Sequence, residues 1–365
     1  MPTWFVTGFP GFLGSALVGR LLDRAGAGTT LTCLVQPRFR DVAVARVAAL
    51  EAAWPAARGR LRLVEGDITR PDLGLGASGY AALQAGVEAI YHLAAVYDLG
   101  VRREVGMRVN VDGTRHVLQL ADGCSALRRL HYVSTCYVSG RYDGVFTEDD
   151  LDVGQRFNNH YEETKYLAEV AVQEAMRQGL PATVYRPAIV VGDSRTGATQ
   201  KYDGPYYLIR WVLRWRRVAP MPLFGDPHRV EVNLVPSDYV IDALAYLSAQ
   251  SETAGRVYHL SDPRPETVDG VLRLIEQTTG RRLLRLRLPP GPSLALMTHV
   301  PRLARWTGIE PQALPYFSHP TRYTCANTLR DLDGSGIACP ALADYLPMLV
   351  AYVQAHPDVP ATAMY

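Results

Sequence analysis

Few cysteines, no long apolar run and no surplus of charge of either sign characterise this 365-residue chain. Each absence excludes something. The five cysteines (Cys33, Cys124, Cys136, Cys325 and Cys339) are scattered, odd in number and without CxxC spacing. That argues against a disulfide framework or a zinc site and fits a reducing, cytoplasmic setting. No apolar stretch is long enough to span a bilayer, so no transmembrane segment is expected. Positive and negative side chains nearly balance, at a formal net charge of +2, and bulk charge gives no sign of nucleic-acid binding. Internal repeats and low-complexity segments are missing. A signal peptide has no room, because the first strand is needed by residue 3.

What is present is a rhythm. TWFV (3–6) is short and rich in β-formers, and SALVGRLLDRAG after it carries Leu17, Val18, Leu21 and Leu22 at helical spacing. Further strands are predicted at 29–35, 60–67, 89–95, 128–135 and 181–192, with helices at about 40–54, 79–86, 110–121 and 161–179. Strands alternating with helices predict an α/β fold, a Rossmann-type doubly wound parallel sheet covered on both faces. The rhythm changes after 192. Residues 1–192 are read as the dinucleotide-binding domain, with return segments at about 232–262. Residues 193–231 and 263–365 are read as a smaller, mostly helical C-terminal substrate domain.

TGFPGFLG (7–14) joins the first strand to the first helix, with Gly8, Gly11 and Gly14 three apart. In such a turn one glycine allows the tight bend, one lets backbone approach a pyrophosphate, and one lets helix pack on strand. The helix N-terminus adds free N–H groups and partial positive charge. The spacing is GxxGxxG rather than GxGxxG, and by itself it also fits an ordinary strand-to-helix loop. NAD-specific proteins place an acid about twenty residues beyond the glycines. Here that place reads LVQPRFR (34–40), with Arg38 and Arg40 and no Asp or Glu before Asp41. An arginine pairs with a 2′-phosphate, so NADPH is expected over NADH; solvated loop arginines are the other reading.

YEETK places Tyr161 and Lys165 four apart, on one face of a helix. A cation beside a phenol favours the phenolate, which makes the pair a proton donor or acceptor for a carbonyl–alcohol couple. YVSTCYVSG (132–140) ends a strand with hydroxyls at Ser134, Thr135 and Ser139. Sites in parallel sheets form beyond the carboxyl ends of the strands, where these three features meet.

TGFPGFLG, VSTCYVSG and YEETK, in that order and spacing, resemble the extended short-chain dehydrogenase/reductases over essentially the whole chain. YRPAIVVGDSRTG (185–197), KYDGPYY (201–207) and VNLVPSDYV (232–240) narrow the resemblance to the male-sterility branch, with the fatty acyl-CoA reductases and thioester reductases. The resemblance implies a catalytic acid at Tyr161, a lysine at Lys165 that tunes it and bonds the nicotinamide ribose, and a substrate-holding hydroxyl at Thr135, with Ser134 the second choice. It implies a pyrophosphate turn at Gly8, Gly11 and Gly14, lined by Thr7, Phe9, Pro10, Phe12 and Leu13. Asp67 and Ile68 fall at the adenine, His92, Leu93, Ala94 and Ala95 beside the adenosine ribose, and Asn110 as a brace of the cofactor-side strands. Pro187, Ala188 and Val190 flank the nicotinamide.

The activity so implied is NADPH-dependent reduction of an acyl thioester, on coenzyme A or an acyl-carrier protein, to aldehyde or alcohol. The same residues also suit an aldehyde, ketone or sterol-type reductase that releases no thiol. LVQPRFR argues against a sugar-nucleotide epimerase, and the complete Thr135, Tyr161 and Lys165 set against a cofactor sensor without chemistry. Monomer and homodimer both stay open. PYYLIRWVLRWRR (205–217) reads as one helix with Arg210, Arg214 and Arg217 on a face. It serves either as a packed substrate-domain helix, as a coenzyme A phosphate contact or as a peripheral membrane contact. Cys136 is read as a packing residue, His160 as a loop histidine, and TEDD (147–150) as a solvated flap without a metal role.

Overall fold

Strands rich in Val, Leu, Ile and Tyr, apolar on both faces, dictate a sheet covered on both sides. The computed structural model, which describes residues 2–26, 28–223, 225–287, 316 and 319–360, has that sheet. Its strands are β1 (Thr3–Thr7), β2 (Thr30–Val35), β3 (Leu61–Glu65), β4 (Val87–His92), β5 (Arg129–Val133), β6 (Ala182–Pro187) and β7 (Val257–Leu260). They lie in the order β7-β6-β5-β4-β1-β2-β3, all parallel. The order reverses between β1 and β4, and that switch point opens a crevice at the carboxyl ends of the strands. Every residue of β6 is buried, as a central strand requires.

The helices that matter for the site are α1 (Phe12–Arg24), α2 (Arg40–Ala53), α3 (Gly76–Gly86), α4 (Gly113–Asp122), α5 (His160–Arg177), α6 (Pro205–Leu213), α7 (Ser237–Ser248), α8 (Val268–Thr279) and α9 (Leu342–Ala355). Asn159 caps α5 by accepting from the Glu162 N–H at 3.0 Å, which sets where Tyr161 enters the helix. Three main cores result among the described residues. One packs α1 and α7 against the sheet, and a second packs α3 and α4 against it. The third joins α6, α8 and α9 to the two-stranded parallel sheet of Val218–Leu223 with Arg282–Arg287.

Several expectations change. The strand expected over 181–192 is two: β6 ends at Pro187, and Ile189–Val191 pairs instead with Leu234–Pro236. The helix expected over 205–217 stops at Leu213, because the chain turns to enter the strand at Val218 and the Trp211 indole N–H is tied to the Pro220 carbonyl at 2.7 Å. Arg214 and Arg217 therefore fall outside it, and no continuous basic helical face forms. Residues 193–231, read as part of a mostly helical domain, also hold the strand Val218–Leu223. TEDD is not wholly solvated, since Glu148 is buried and accepts from the backbone N–H groups of His259 and Asn327. Within the expected substrate domain, residues 224, 288–315, 317–318 and 361–365 lie outside the described residues. Among the described residues no helix is long and apolar enough to cross a membrane.

Candidate active site

The glycine turn shows why side chains are excluded there. Gly8 has φ +91°, and a Cβ on it would lie 2.9 Å from the Ala94 nitrogen. A Cβ on Gly14 would lie 2.3 Å from the Gly8 carbonyl oxygen, and one on Gly11 2.8 Å from the same atom. The turn thus forms one wall of a cavity of about 1220 Å³ at the switch point. That is above the range of roughly 300–1,000 Å³ usual for one small ligand. It suits a dinucleotide and a second molecule together.

Of the residues expected at the site, all but His92 and Asn110 line this cavity. Those two lie directly behind it. His92 is fully buried, with Nδ1 2.7 Å from the Thr7 hydroxyl and Nε2 3.0 Å from the Thr114 hydroxyl. Thr114 donates its own proton to the Asn110 carbonyl at 2.6 Å, so His92 must donate from Nε2 and accept at Nδ1 from Thr7. Burial, with the charge of Lys165, holds the imidazole down at about 3, hence neutral. Asn110 accepts from the Val96 N–H at 2.8 Å and donates to the Thr164 hydroxyl at 3.0 Å, tying the β4 exit to α5 between Tyr161 and Lys165.

At the cavity's other wall, Tyr161 and Thr135 interact through their side chains. Burial pushes the phenol well above its ordinary value; the Thr135 hydrogen bond acts against this, and the Glu162 and Asp203 carboxylates add to it. Lys165 is anchored on β5. Its ammonium donates to the Tyr132 hydroxyl at 2.9 Å and the Val133 carbonyl at 2.8 Å, and burial lowers it to about 7 with Glu169 opposing. Ser134 spends its proton on Glu169 at 2.5 Å. Thr135 accepts from the Tyr137 N–H at 3.3 Å, and toward the backbone it donates only at a long 3.4 Å, to the Pro187 carbonyl. Of the two hydroxyls, Thr135 is therefore the one with a proton to offer. Burial also pushes the Cys136 thiol far up, which suits packing rather than nucleophilic attack.

At the adenosine end, Arg38 lines the cavity with its guanidinium 4.8 Å over the Phe39 ring and hydrogen-bonded to Gln36. Arg40 is instead paired with Glu65. Arg46, one turn beyond Val42 on α2, also lines the cavity. Sequence reasoning missed it because α2 is alanine-rich and shows little amphipathic contrast. It also missed Tyr97, Lys201 and Asp203. Lys201 pairs with Asp203 at 2.8 Å and sits 4.6 Å over the Tyr97 ring, which meets Tyr161 edge-on at 5.1 Å. Only the KYDG stretch hinted at Lys201 and Asp203. Among the described residues no cluster of His, Cys, Asp and Glu is placed to hold a metal ion.

The family profile described as "Male sterility protein" matches residues 6–244. The chain is 29% identical to a linear gramicidin synthase component of Brevibacillus parabrevis over 74% of its own length, but over only 5% of that protein. It is 30% identical to the L-2-aminoadipate reductase large subunit of Penicillium chrysogenum over 66% of itself and 18% of that protein. The chain thus spans a small part of the curated relatives it matches. Among solved structures, the terminal R domain from the myxalamid PKS-NRPS biosynthetic pathway superposes with a TM-score of 0.81 at 28% identity, covering 99% of this chain and 92% of that one. A thiolation-reductase di-domain from an archaeal non-ribosomal peptide synthetase shares the fold, at a TM-score of 0.73 and 18% identity, over 98% of this chain and 76% of that one.

Proposed function

The chain belongs to the male sterility protein family and is an NAD(P)-dependent oxidoreductase, and from that premise we propose that it reduces an acyl thioester, carried on coenzyme A or a carrier protein, to an aldehyde or alcohol with NADPH. The observation that carries this reading is the meeting of Tyr161 and Thr135 on a cavity wall opposite the glycine turn. The cradle fits a dinucleotide, because a Cβ at Gly8, Gly11 or Gly14 would fill the space a close backbone approach needs. Arg38 and Arg46 offer two cations for a 2′-phosphate. NADPH, when bound, supplies a hydride.

The chain's own residues supply the rest. Thr135 and Tyr161 aim hydroxyl protons at the oxygen on which negative charge develops. The phenol, pushed up by burial, stays protonated at neutral pH and so acts as the acid. Protonation yields a hemithioacetal, which collapses to aldehyde and thiol. The relatives named as a reductase and a synthase, and the solved thiolation-reductase di-domain, support a carrier-bound substrate.

The test is an assay of the purified chain with NADPH and a panel of acyl-CoAs, fatty aldehydes and ketones, following absorbance and free thiol together. NADPH loss coupled to thiol release is the expected result. NADPH loss with aldehydes or ketones, and none with thioesters, replaces this reading by a carbonyl reductase using the same residues.

A further inference from the structure

The chain contains two lysines among its 38 basic residues, the others all arginine, and both lysines, Lys165 and Lys201, line the cavity. Arginine stays charged in any protein setting, whereas a buried lysine is easily neutralised. Lys165 is 3% exposed, so an ammonium there needs a counter-charge. Its direct partners, the Tyr132 hydroxyl and the Val133 carbonyl on β5, are dipoles. His92 on β4 faces it as a neutral imidazole. On its own helix stand Tyr161, a protonated phenol, and Glu169, one turn on.

Glu169 is fully buried and held by three side chains. Arg186 on β6 donates from Nε at 2.9 and 3.2 Å and from Nη2 at 2.7 Å. Ser134 at the end of β5 donates at 2.5 Å, and Gln173 at 2.9 Å. Arg186, itself without exposure, is fixed in turn by His259 Nε2 on β7 at 3.0 Å and by the Asp150 carbonyl at 2.8 Å. His259 accepts there, since its Nδ1–H donates to the Thr324 carbonyl at 2.7 Å. One carboxylate is thus locked to two strands of the sheet beside the proton-transfer residues.

We propose that Glu169 is a positioning residue of the reaction, the counter-charge, fixed by Arg186 and Ser134, that keeps the Lys165 ammonium charged and in place beside Tyr161. The proposal rests on the reading that Tyr161 is the acid of the reduction, with Lys165 in the role the family resemblance implies, bonding the nicotinamide ribose beside it. Burial drives Lys165 down, and Glu169 is the group that opposes it.

The small lysine count makes a direct test practical. In the full chain labelled with ε-¹³C-lysine, two side-chain resonances are present, and Lys201→Arg assigns them. Glu169→Gln should move the Lys165 titration acidward by about 1 to 3 pH units, the effect expected of losing a nearby opposite charge. Glu169→Asp, which keeps the charge, should stay near wild type, and Glu174→Gln on the exposed side of α5 should match it. The alkaline limb of kcat should follow the resonance. An unmoved Lys165 titration in Glu169→Gln overturns the proposal. If that variant does not fold, Ser134→Ala decides: losing a hydroxyl that spreads the carboxylate's charge should move the titration alkaline, and no movement overturns the proposal. Because the readout needs no turnover, the failure of thioester reduction in the assay above is a separate result.

Discussion

Tyr161 and Thr135 have protons to give, whereas the neighbouring Ser134 donates to Glu169 and Ser139 shares a hydrogen bond with Tyr323. Tyr161→Phe should therefore lower kcat by about 10²- to 10⁴-fold, the usual worth of a positioned acid, while NADPH affinity and the far-ultraviolet spectrum stay as they were. Thr135→Ala should cost about 10²- to 10³-fold, as for other oxyanion donors. Steady-state kinetics beside calorimetric titration of NADPH separates chemistry from binding in both. The same logic applies to the phosphate end. Arg38→Ala and Arg46→Ala should each weaken NADPH by roughly 10- to 100-fold, the value of a charged hydrogen bond, and leave NADH nearly unchanged. Equal weakening of both dinucleotides would remove the 2′-phosphate assignment. Arg38 was legible because it stands where an acid would mark NAD. Arg46 was not, because only the packing of α2 brings it to the turn.

At the scale of elements, the β1–turn–α1 unit concentrates the constraint. Gly14→Ala drives a methyl group to 2.3 Å from backbone that has no rotamer to change. It should destabilise the protein by about 1–3 kcal/mol, as overpacking does, and abolish NADPH binding. Gly26→Ala, with nothing within 4 Å of its Cβ, is the control expected to leave both untouched. Denaturant melts and the same calorimetry check the pair. Strands and helices flanking this turn were readable because their apolar periods are strong and the turn residues punctuate them. Two segments defeated the same approach. Ile189–Val191 continues the apolar run of β6 without a break in pattern, and only its pairing with Leu234–Pro236 takes it out of the sheet. Helix α6 carries a helical period beyond Leu213, but tertiary pairing of Val218–Leu223 with Arg282–Arg287 ends it there.

For the molecule as a whole, four buried histidines among the described residues govern the response to acid. His92 and His131 are held down at about 3 and His319 at about 4, in each case chiefly by burial, and His259 lies well below its ordinary value for the same reason. They sit on β4, β5, β7 and the C-terminal segment, so protonating any of them opens a different part of the core. The unfolded chain takes up these protons near pH 6.5 and the folded chain only near 3 to 4. The stability they represent is complete above about 6.5 and is lost as pH falls toward the folded values. Each contributes about 1.4 kcal/mol per pH unit over that window, and four together roughly 5 to 6. Glu148, Glu162, Glu231 and Asp262, raised by burial, act in the opposite sense, while Asp331, Glu163 and Asp72, held down by their hydrogen-bonded partners, act in the same sense as the imidazoles. Against a total of about 5–15 kcal/mol for a folded domain, the margin is gone within a few units. Cooperative unfolding is expected at about pH 4 to 5.5 in an equilibrium circular-dichroism titration. His131→Phe, which keeps a ring 4.6 Å from that of Tyr91 but removes one titration, should make the acid limb shallower. A native spectrum persisting at about pH 3 would mean that these imidazoles take up protons without opening the core.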